Sequence, residues 1–202
     1  IKIAGVAAGR LTPGRRRALG LHFVPEERLG RGAVPEMGLA HNLLLTRREA
    51  VGTLGWLRTG RLRDQAAGII ERFRVKAAGP QAPARSLSGG NLQKFIMGRE
   101  IDAKPTLLIV SQPTWGVDVG AAAQIRAEIL ALRDAGCAVL VVSEELDELF
   151  ELSDRLHVMA KGRLSPSVAR RDATVEQIGE WMSGLWHADV QQHLQQIEAS
   201  HD

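Results

Sequence analysis

The chain has no tyrosine and a single cysteine, Cys137, among its 202 residues. One cysteine excludes an internal disulfide and any cysteine-rich zinc site, and it fits a reducing, cytoplasmic compartment. Aromatics are scarce at 4%, with Phe23 and Trp56 alone before Phe73, so stacking platforms for single-stranded nucleic acid are poorly supplied. No long apolar run occurs either. Thr106 to Val110 and Cys137 to Val142 suit buried strands and fall far short of the roughly 20 residues that span a bilayer. The opening Ile1-Lys2-Ile3 has no initiator Met, basic n-region or apolar h-region. The expectation is a chain without a secretory signal, cut from something longer.

What is present is a globular composition: 45% apolar and 24% charged residues, enough for one sizeable core or two modest ones and too much apolar content for intrinsic disorder. The 21 glycines and 8 prolines follow no fixed period, which excludes collagen-like and low-complexity chains. The net charge of +3 is unevenly spread. Residues 1–63 hold 12 Lys/Arg against 4 Asp/Glu, and the remainder is net acidic. Such a basic first third can meet nucleic acid, anionic lipid or an acidic protein surface, or simply be a solvated face.

Along the chain, Ile1 and Ile3 alternate before Gly5, and Thr12-Pro13-Gly14 opens a basic helical stretch through Leu19. Leu21 to Val24 reads as a strand closed by Pro25. Glu26 to Gly38 is polar, Gly/Pro-punctuated loop. Leu39 to Leu45 has helical spacing, as does Leu62 to Phe73, which sets Leu62, Ala66, Ile69, Ile70 and Phe73 on one face. After a break at Gly79 to Pro83 the rhythm alternates: strand Leu107–Val110, helix Ala121–Leu132, buried strand Ala138–Val142, helix Glu145–Leu152, strand Leu156–Ala160. That alternation predicts a mainly parallel α/β sheet flanked by helices. Thr174 to Met182 closes it as a helix, with Thr174 as N-cap and Gln177 completing a capping box. The tail from Leu185 to Asp202 carries Val190, Leu194 and Ile197 at helical spacing.

The segment richest in chemistry is Ser86-Leu87-Ser88-Gly89-Gly90-Asn91-Leu92-Gln93-Lys94, followed by helical text through Glu100. A serine and two glycines opening a helix gather unpaired amides, a hydroxyl and the positive helix end into an anion cradle. A bare Ser-Gly-Gly reads first as a serine cap with a glycine turn. Its setting adds weight, because an apolar strand ending in a polar cluster follows about 20 residues later.

Here the chain resembles the nucleotide-binding domain of ATP-binding-cassette transporters. Leu87 to Lys94 is similar to the family's signature loop in the Asn-containing form of importers for simple sugars and nucleosides. Leu107 to Thr114 sits at the Walker B strand, Trp115-Gly116-Val117-Asp118 at the D-loop and Val142 to Glu148 at the switch segment. Val24-Pro25-Glu26-Glu27-Arg28 with Gly30-Arg31-Gly32 resembles the Q-loop region of the second cassette in these sugar-type ATPases. The match covers about residues 1–184 in order and spacing. It implies an ATP-binding-cassette domain with an inserted helical subdomain: 1–35 as N-terminal strands and Q-loop-like region, 36–103 as helical subdomain ending in the signature helix, 104–184 as α/β core, and 185–202 as tail.

The departures are as informative. No Gly-x-x-x-x-Gly-Lys-Ser/Thr occurs, so the phosphate-cradling loop is absent from this chain; the family places it upstream of where Ile1 falls, which suggests truncation. At the positions of the Walker B Asp and Glu stand Ser111 and Gln112, neither charged. Gln112 can orient a water by hydrogen bonding but is a very poor proton acceptor, and Ser111 offers Mg²⁺ only a weak neutral oxygen. Glu144 replaces the switch histidine, and Glu26 the Q-loop glutamine. The resemblance therefore implies a degenerate hydrolytic site on this cassette beside an intact signature loop. In the family two cassettes pair head to tail, so Ser88, Gly89, Gly90, Asn91 and Gln93 would complete an ATP and Mg²⁺ site belonging to the partner cassette, with Asp118 aligning the interface or capping the next helix.

The implied protein is a peripheral ATPase on the cytoplasmic face of the membrane, working with permease subunits and, indirectly, a solute-binding protein. Alone, this chain is expected to be silent. Two rival readings stand beside it: a non-catalytic docking module using the basic first third, with Trp56 and Arg58 to Arg63 facing membrane subunits, and a nucleic-acid-associated cassette, disfavoured by the lack of long heptads. The six histidines form no close ligand pair and read as packed or solvated.

Overall fold

The computed structural model describes residues 1–47, 52–53 and 56–187, and the chain divides into two compact units, Ile1–Glu144 and Glu145–Asp202. The first unit opens with a hairpin of β1 (Lys2–Ile3) and β2 (Val6–Ala7). Thr12 then caps α1 (Pro13–Ala18), its hydroxyl accepting from the Arg15 amide, and Pro13 supplies a first position where no amide is needed. Gly20 joins α1 to β3 (Leu21–Val24) at φ +84°. A Cβ there would sit 2.1 Å from Thr106 Oγ1, so the turn admits only glycine.

The Glu26–Gly38 segment is loop, as its composition predicts. Asn42, fully buried, organises it from α2 (Leu39–Asn42): its amide accepts from Val34 N–H at 2.8 Å and donates to the carbonyls of Val34, Met37 and Gly38. A 3₁₀ turn at Leu43–Leu45 completes the helical text expected there. After a hairpin of β4 (Gly52–Thr53) and β5 (Trp56–Leu57) comes α3 (Thr59–Arg72), which buries Leu62, Ala66 and Ile69 as the spacing requires. Gly98 of α4 (Gly89–Asp102) lets α3 close on it, since a Cβ would lie 2.6 Å from Phe73 Cδ2.

The sheet is parallel and three-stranded, in the order β3, β6 (Leu107–Ser111), β7 (Ala138–Val142), with α5 (Val119–Asp134) crossing between the last two. Register puts His22, Leu108 and Val139 in one row and Phe23, Ile109 and Leu140 in the next, so alternate rows face opposite sides. The face carrying His22, Val24, Leu108 and Val110 is buried, with α4 packed on β3 and α5 on β7.

The other face corrects the sequence expectation for β7. Ala138–Val142 is not a buried strand: Leu140 is 53% and Val142 52% exposed, and Phe23 in the same rows is 44% exposed. β7 is an edge strand, and among the described residues nothing covers that side. An apolar run reports hydrophobicity and not what lies against it.

In the second unit, Glu145 precedes α6 (Leu146–Leu152). The strand expected from Leu156 to Ala160 is two short ones, β8 (Arg155–Leu156) and β9 (Met159–Ala160). β9 pairs antiparallel with β10 (Arg163–Leu164), and β8 with β11 (Val168–Ala169). The break falls at Val158, whose amide donates to the Ser165 hydroxyl at 2.8 Å while its carbonyl accepts from the Ser165 N–H at 2.8 Å, so a side chain replaces one of the two backbone bonds there. Thr174 caps α7 (Val175–Met182), accepting from the Gln177 amide at 3.1 Å. Leu156, Val158, Ile178, Trp181 and Trp186 form this unit's core. The Trp56 side chain and the tail positions Val190, Leu194 and Ile197 lie outside the described residues.

Candidate functional site

α4 begins where the serine-glycine motif predicts. Ser88 is extended (φ −63°, ψ 155°) and caps the helix, its hydroxyl oxygen accepting from the Asn91 amide at 3.5 Å and from Asn91 Nδ2 at 2.9 Å. Asn91 Oδ1 in turn accepts from the Lys76 backbone N–H at 2.8 Å. Gly89 and Gly90 occupy the first helical positions, whose amides have no intrahelical acceptor. Ser88 and Gly89 are exposed, so hydroxyl, amides and helix dipole face solvent together.

The second glycine has a packing reason. A Cβ on Gly90 would meet the Gly116 carbonyl oxygen at 3.2 Å and Val117 Cα at 3.5 Å. The start of α4 is thereby held against the turn that ends in Asp118. Asp118 caps α5, its Oδ1 accepting from the Ala121 amide at 2.9 Å, and that bond holds its carboxyl below the usual range.

Gln93, one turn into α4, is buried and does not reach the exposed cradle. Its Nε2 donates to the Pro113 carbonyl at 3.0 Å, and its Oε1 accepts from Arg28 Nε at 3.0 Å. Arg28 also donates to the Trp115 carbonyl, so one guanidinium joins the Glu26–Gly38 loop, α4 and the turn after β6. Burial lowers the Arg28 guanidinium from its ordinary value. A Cβ on Gly89 would stand 2.9 Å from Arg28 Nη1, so the first glycine makes room for it.

Glu26, Ser111 and Gly89 line one open cleft of about 1140 Å³ with Arg28, Leu92 and Trp115. Gln112 follows β6 in a left-handed conformation (φ 50°), which a branched or bulky residue adopts at a cost. Its amide donates to the Val142 carbonyl at 2.8 Å, and its Oε1 accepts from Ser143 Oγ at 3.4 Å. The end of β6 and the end of β7 thus meet through Gln112. Glu144, next along, is exposed and does not line the cleft.

The far end of α4 carries a charged cluster that periodicity does not reveal. Glu100 and Arg99 are 0% and 1% exposed, and His22 is 3% exposed. His22 Nδ1 donates to Glu100 Oε2 at 2.7 Å, Arg99 Nε to Oε1 at 2.7 Å, and Arg17 lies 3.8 Å away. Burial pushes the Glu100 carboxyl up, but the His22 bond and the Arg99 charge more than offset it and hold it below the usual range. Lys76, Arg28 and this cluster were not singled out from the sequence. For Lys76 no signal exists, since only its backbone amide acts.

In chemical terms the start of α4 offers a hydroxyl, backbone amides and no negative charge, which suits an anion such as a phosphate. The end of β6 offers a hydroxyl and an amide where a divalent cation would want carboxylate oxygens. Among the described residues no group of three or more His, Cys, Asp or Glu could hold a metal ion, and no helix is long and apolar enough to cross a membrane.

No protein-family model matches the chain. Curated relatives do. The guanosine import ATP-binding protein NupO of Bacillus subtilis is 38% identical over 186 residues, covering 91% of this chain and 36% of that protein. The nucleoside import ATP-binding protein NupA of Lactococcus lactis is 43% identical over 163 residues, 80% of this chain and 32% of the relative. The ribose import ATP-binding protein RbsA of Halalkalibacterium halodurans is 34% identical over 182 residues, 90% and 36% respectively. The chain thus spans about a third of the length of these relatives. Among solved structures, a dimeric post-hydrolysis state of the ATP-binding cassette MJ0796 bound to ADP and Pi superposes with a TM-score of 0.67 at 18% identity, covering 84% of this chain and 72% of that one. A nucleotide-free ATP-binding cassette from an ABC transporter gives 0.61 at 22% identity, covering 85% and 68%. The fold is that of the ATP-binding cassette, a parallel sheet flanked by helices.

Proposed function

We propose that this chain, which has the ATP-binding-cassette fold, is part of the second cassette of an importer ATPase for simple sugars or nucleosides, and that its work is to complete the ATP site of a partner cassette. The observation that carries the reading is the start of α4: Ser88, Gly89 and Gly90 present donors and no acceptor charge to solvent, while the Walker B position supplies only Ser111 and Gln112. Similarity to nucleoside and sugar import ATP-binding proteins supports the substrate class.

The division of labour follows from charge. At the start of α4, the Ser88 hydroxyl and the Gly89 and Gly90 amides would hold the terminal phosphate of ATP bound by the partner, steadying negative charge that builds during transfer. At the end of β6 the uncharged Ser111 and Gln112 do not suit Mg²⁺. Gln112, tied to Val142 and Ser143, keeps its place without being a base. Glu144, an anion where a phosphate donor would be wanted, adds to a silent site on this side. The protein would sit peripherally at the cytoplasmic face of the membrane, with permease subunits and a solute-binding protein as its wider partners.

The test is Mg-ATP turnover by this chain alone and with its partner cassette. The chain alone is expected to be silent and the pair active, with Ser88→Arg abolishing turnover by filling the cradle. Turnover by the chain alone, or a pair indifferent to Ser88→Arg, overturns the reading.

A further inference from the structure

We infer that Asn91 is a positioning residue that aims the Ser88 hydroxyl, and that it is not itself a nucleotide contact. This rests on the reading of α4 as the phosphate-facing loop.

The argument is one of donors and acceptors. The Lys76 backbone N–H can only donate, so the oxygen of the Asn91 amide must be the atom 2.8 Å from it. That fixes the amide's orientation and turns Nδ2, which can only donate, toward Ser88 Oγ at 2.9 Å. The Asn91 backbone N–H approaches the same oxygen at 3.5 Å. Ser88 Oγ therefore receives hydrogens from Asn91, and its own proton has to point away from Asn91, toward solvent. The Leu92 amide, donating to the Ser88 carbonyl at 2.9 Å, holds the backbone beneath it. A hydroxyl set this way is a donor in waiting, right for a phosphate oxygen and wrong for a cation.

Asn91 suits the task by length. Its amide oxygen is committed to the Lys76 amide and one amide hydrogen to Ser88, so the side chain lies across the loop between α3 and the cradle. A glutamine, one methylene longer, would not keep both bonds from the same backbone. An alanine would free the hydroxyl to rotate.

The experiment is a double-mutant cycle on ATP turnover in the assembled transporter, with Mg-ATP as probe, comparing Ser88→Ala, Asn91→Ala and the double variant. Ser88→Ala is expected to lower kcat/KM about tenfold or more, the scale of a lost hydrogen bond to a charged group. Asn91→Ala is expected to lower it about three- to tenfold through kcat, with KM nearly unchanged, since it removes orientation and not contact. The double variant should be no worse than Ser88→Ala. Losses that multiply overturn the inference alone, because Asn91 would then be touching nucleotide independently. Unchanged turnover in Ser88→Ala overturns the phosphate reading and the inference with it.

Asn91→Asp guards against a folding artefact. A carboxylate still accepts from Lys76 and suits the first turn of a helix. It would, however, draw the Ser88 proton inward, so turnover should fall at least as far as in Ser88→Ala. Near wild-type turnover in Asn91→Asp overturns the inference.

Discussion

Replacing Glu100 by glutamine tests whether the buried cluster at the end of α4 holds that helix to the sheet. The carboxylate accepts from His22 Nδ1 and Arg99 Nε, each at 2.7 Å, on two different oxygens. Glutamine has one acceptor oxygen and no charge: if that oxygen keeps Arg99, its NH₂ faces His22 Nδ1, which receives it only after a change of tautomer, and the charge assistance of both bonds is lost. Arg99, 1% exposed, also loses its adjacent counter-charge. Removing one partner of a buried pair costs about 3–5 kcal/mol. The Asn42 carbonyl, 3.3 Å from Arg99 Nη1, still receives the guanidinium, which places the expected loss near the lower end, about 3 kcal/mol. Hydrogen exchange over Gly89–Asp102 should quicken by about a hundredfold at neutral pH, at about 1.4 kcal/mol per factor of ten. The pH dependence sharpens the test. The folded Glu100 value lies below the unfolded one, so its contribution is whole above the ordinary glutamate range and fades as pH falls through the lowered folded value. Wild type and variant should therefore differ fully at pH 7 and converge in strong acid. A difference under about 1 kcal/mol at pH 7, or one that does not shrink in acid, refutes the reasoning.

Three other substitutions probe separate parts of the fold. Gly98→Ala puts a methyl 2.6 Å from Phe73 Cδ2 and 2.8 Å from Ile69 Cγ2; the strain of about 1–3 kcal/mol should exceed the gain of about 1 kcal/mol in helix propensity, lowering Tm. Asn42→Ala leaves the part-buried Val34 amide without its 2.8 Å partner, costing about 1–3 kcal/mol and raising protease cleavage within Glu26–Gly38. Trp186→Ala, at a position 5% exposed in the second unit's core, should cost about 3–5 kcal/mol. Exchange should quicken across Leu156–Trp181 and stay unchanged in α4.

The fold was legible where local chemistry is sufficient. Thr12, Ser88, Asp118 and Thr174 announce four helix starts, and each caps as its type demands. The stripe Leu62, Ala66, Ile69 is likewise plain in the text of α3. β7 misled because five apolar residues look the same on a covered sheet and on an open edge. Leu156 to Ala160 misled because a side chain, the Ser165 hydroxyl seven residues on, takes the Val158 amide, which hydrophobic alternation does not report. At the site, the residue types of the cradle were readable, but the part played by Lys76 was not, since a backbone amide leaves no trace in the sequence.

α4 shows why a helix can be essential without being amphipathic. Every residue from Leu92 to Ile101 is buried, including Gln93, Lys94, Arg99 and Glu100, so no polar stripe marks it as a surface helix. Its polar residues are satisfied by fixed partners at three levels. Asn91 ties the start to Lys76, Gln93 ties the middle to Arg28 and the Pro113 carbonyl, and Glu100 ties the end to His22 on β3. Buried polar groups are tolerated only when each finds its partner, and each such partner also forbids sliding. A phosphate drawn to Ser88 would therefore pull on a helix that cannot shift alone. Through Arg28 the pull reaches the Glu26–Gly38 loop, and through Gly90 packed on Gly116 it reaches the turn that ends in Asp118. A rigid helix with amide and hydroxyl donors at an uncharged tip is what differential binding of a developing charge requires, because a tip free to relax would follow the ground state equally well.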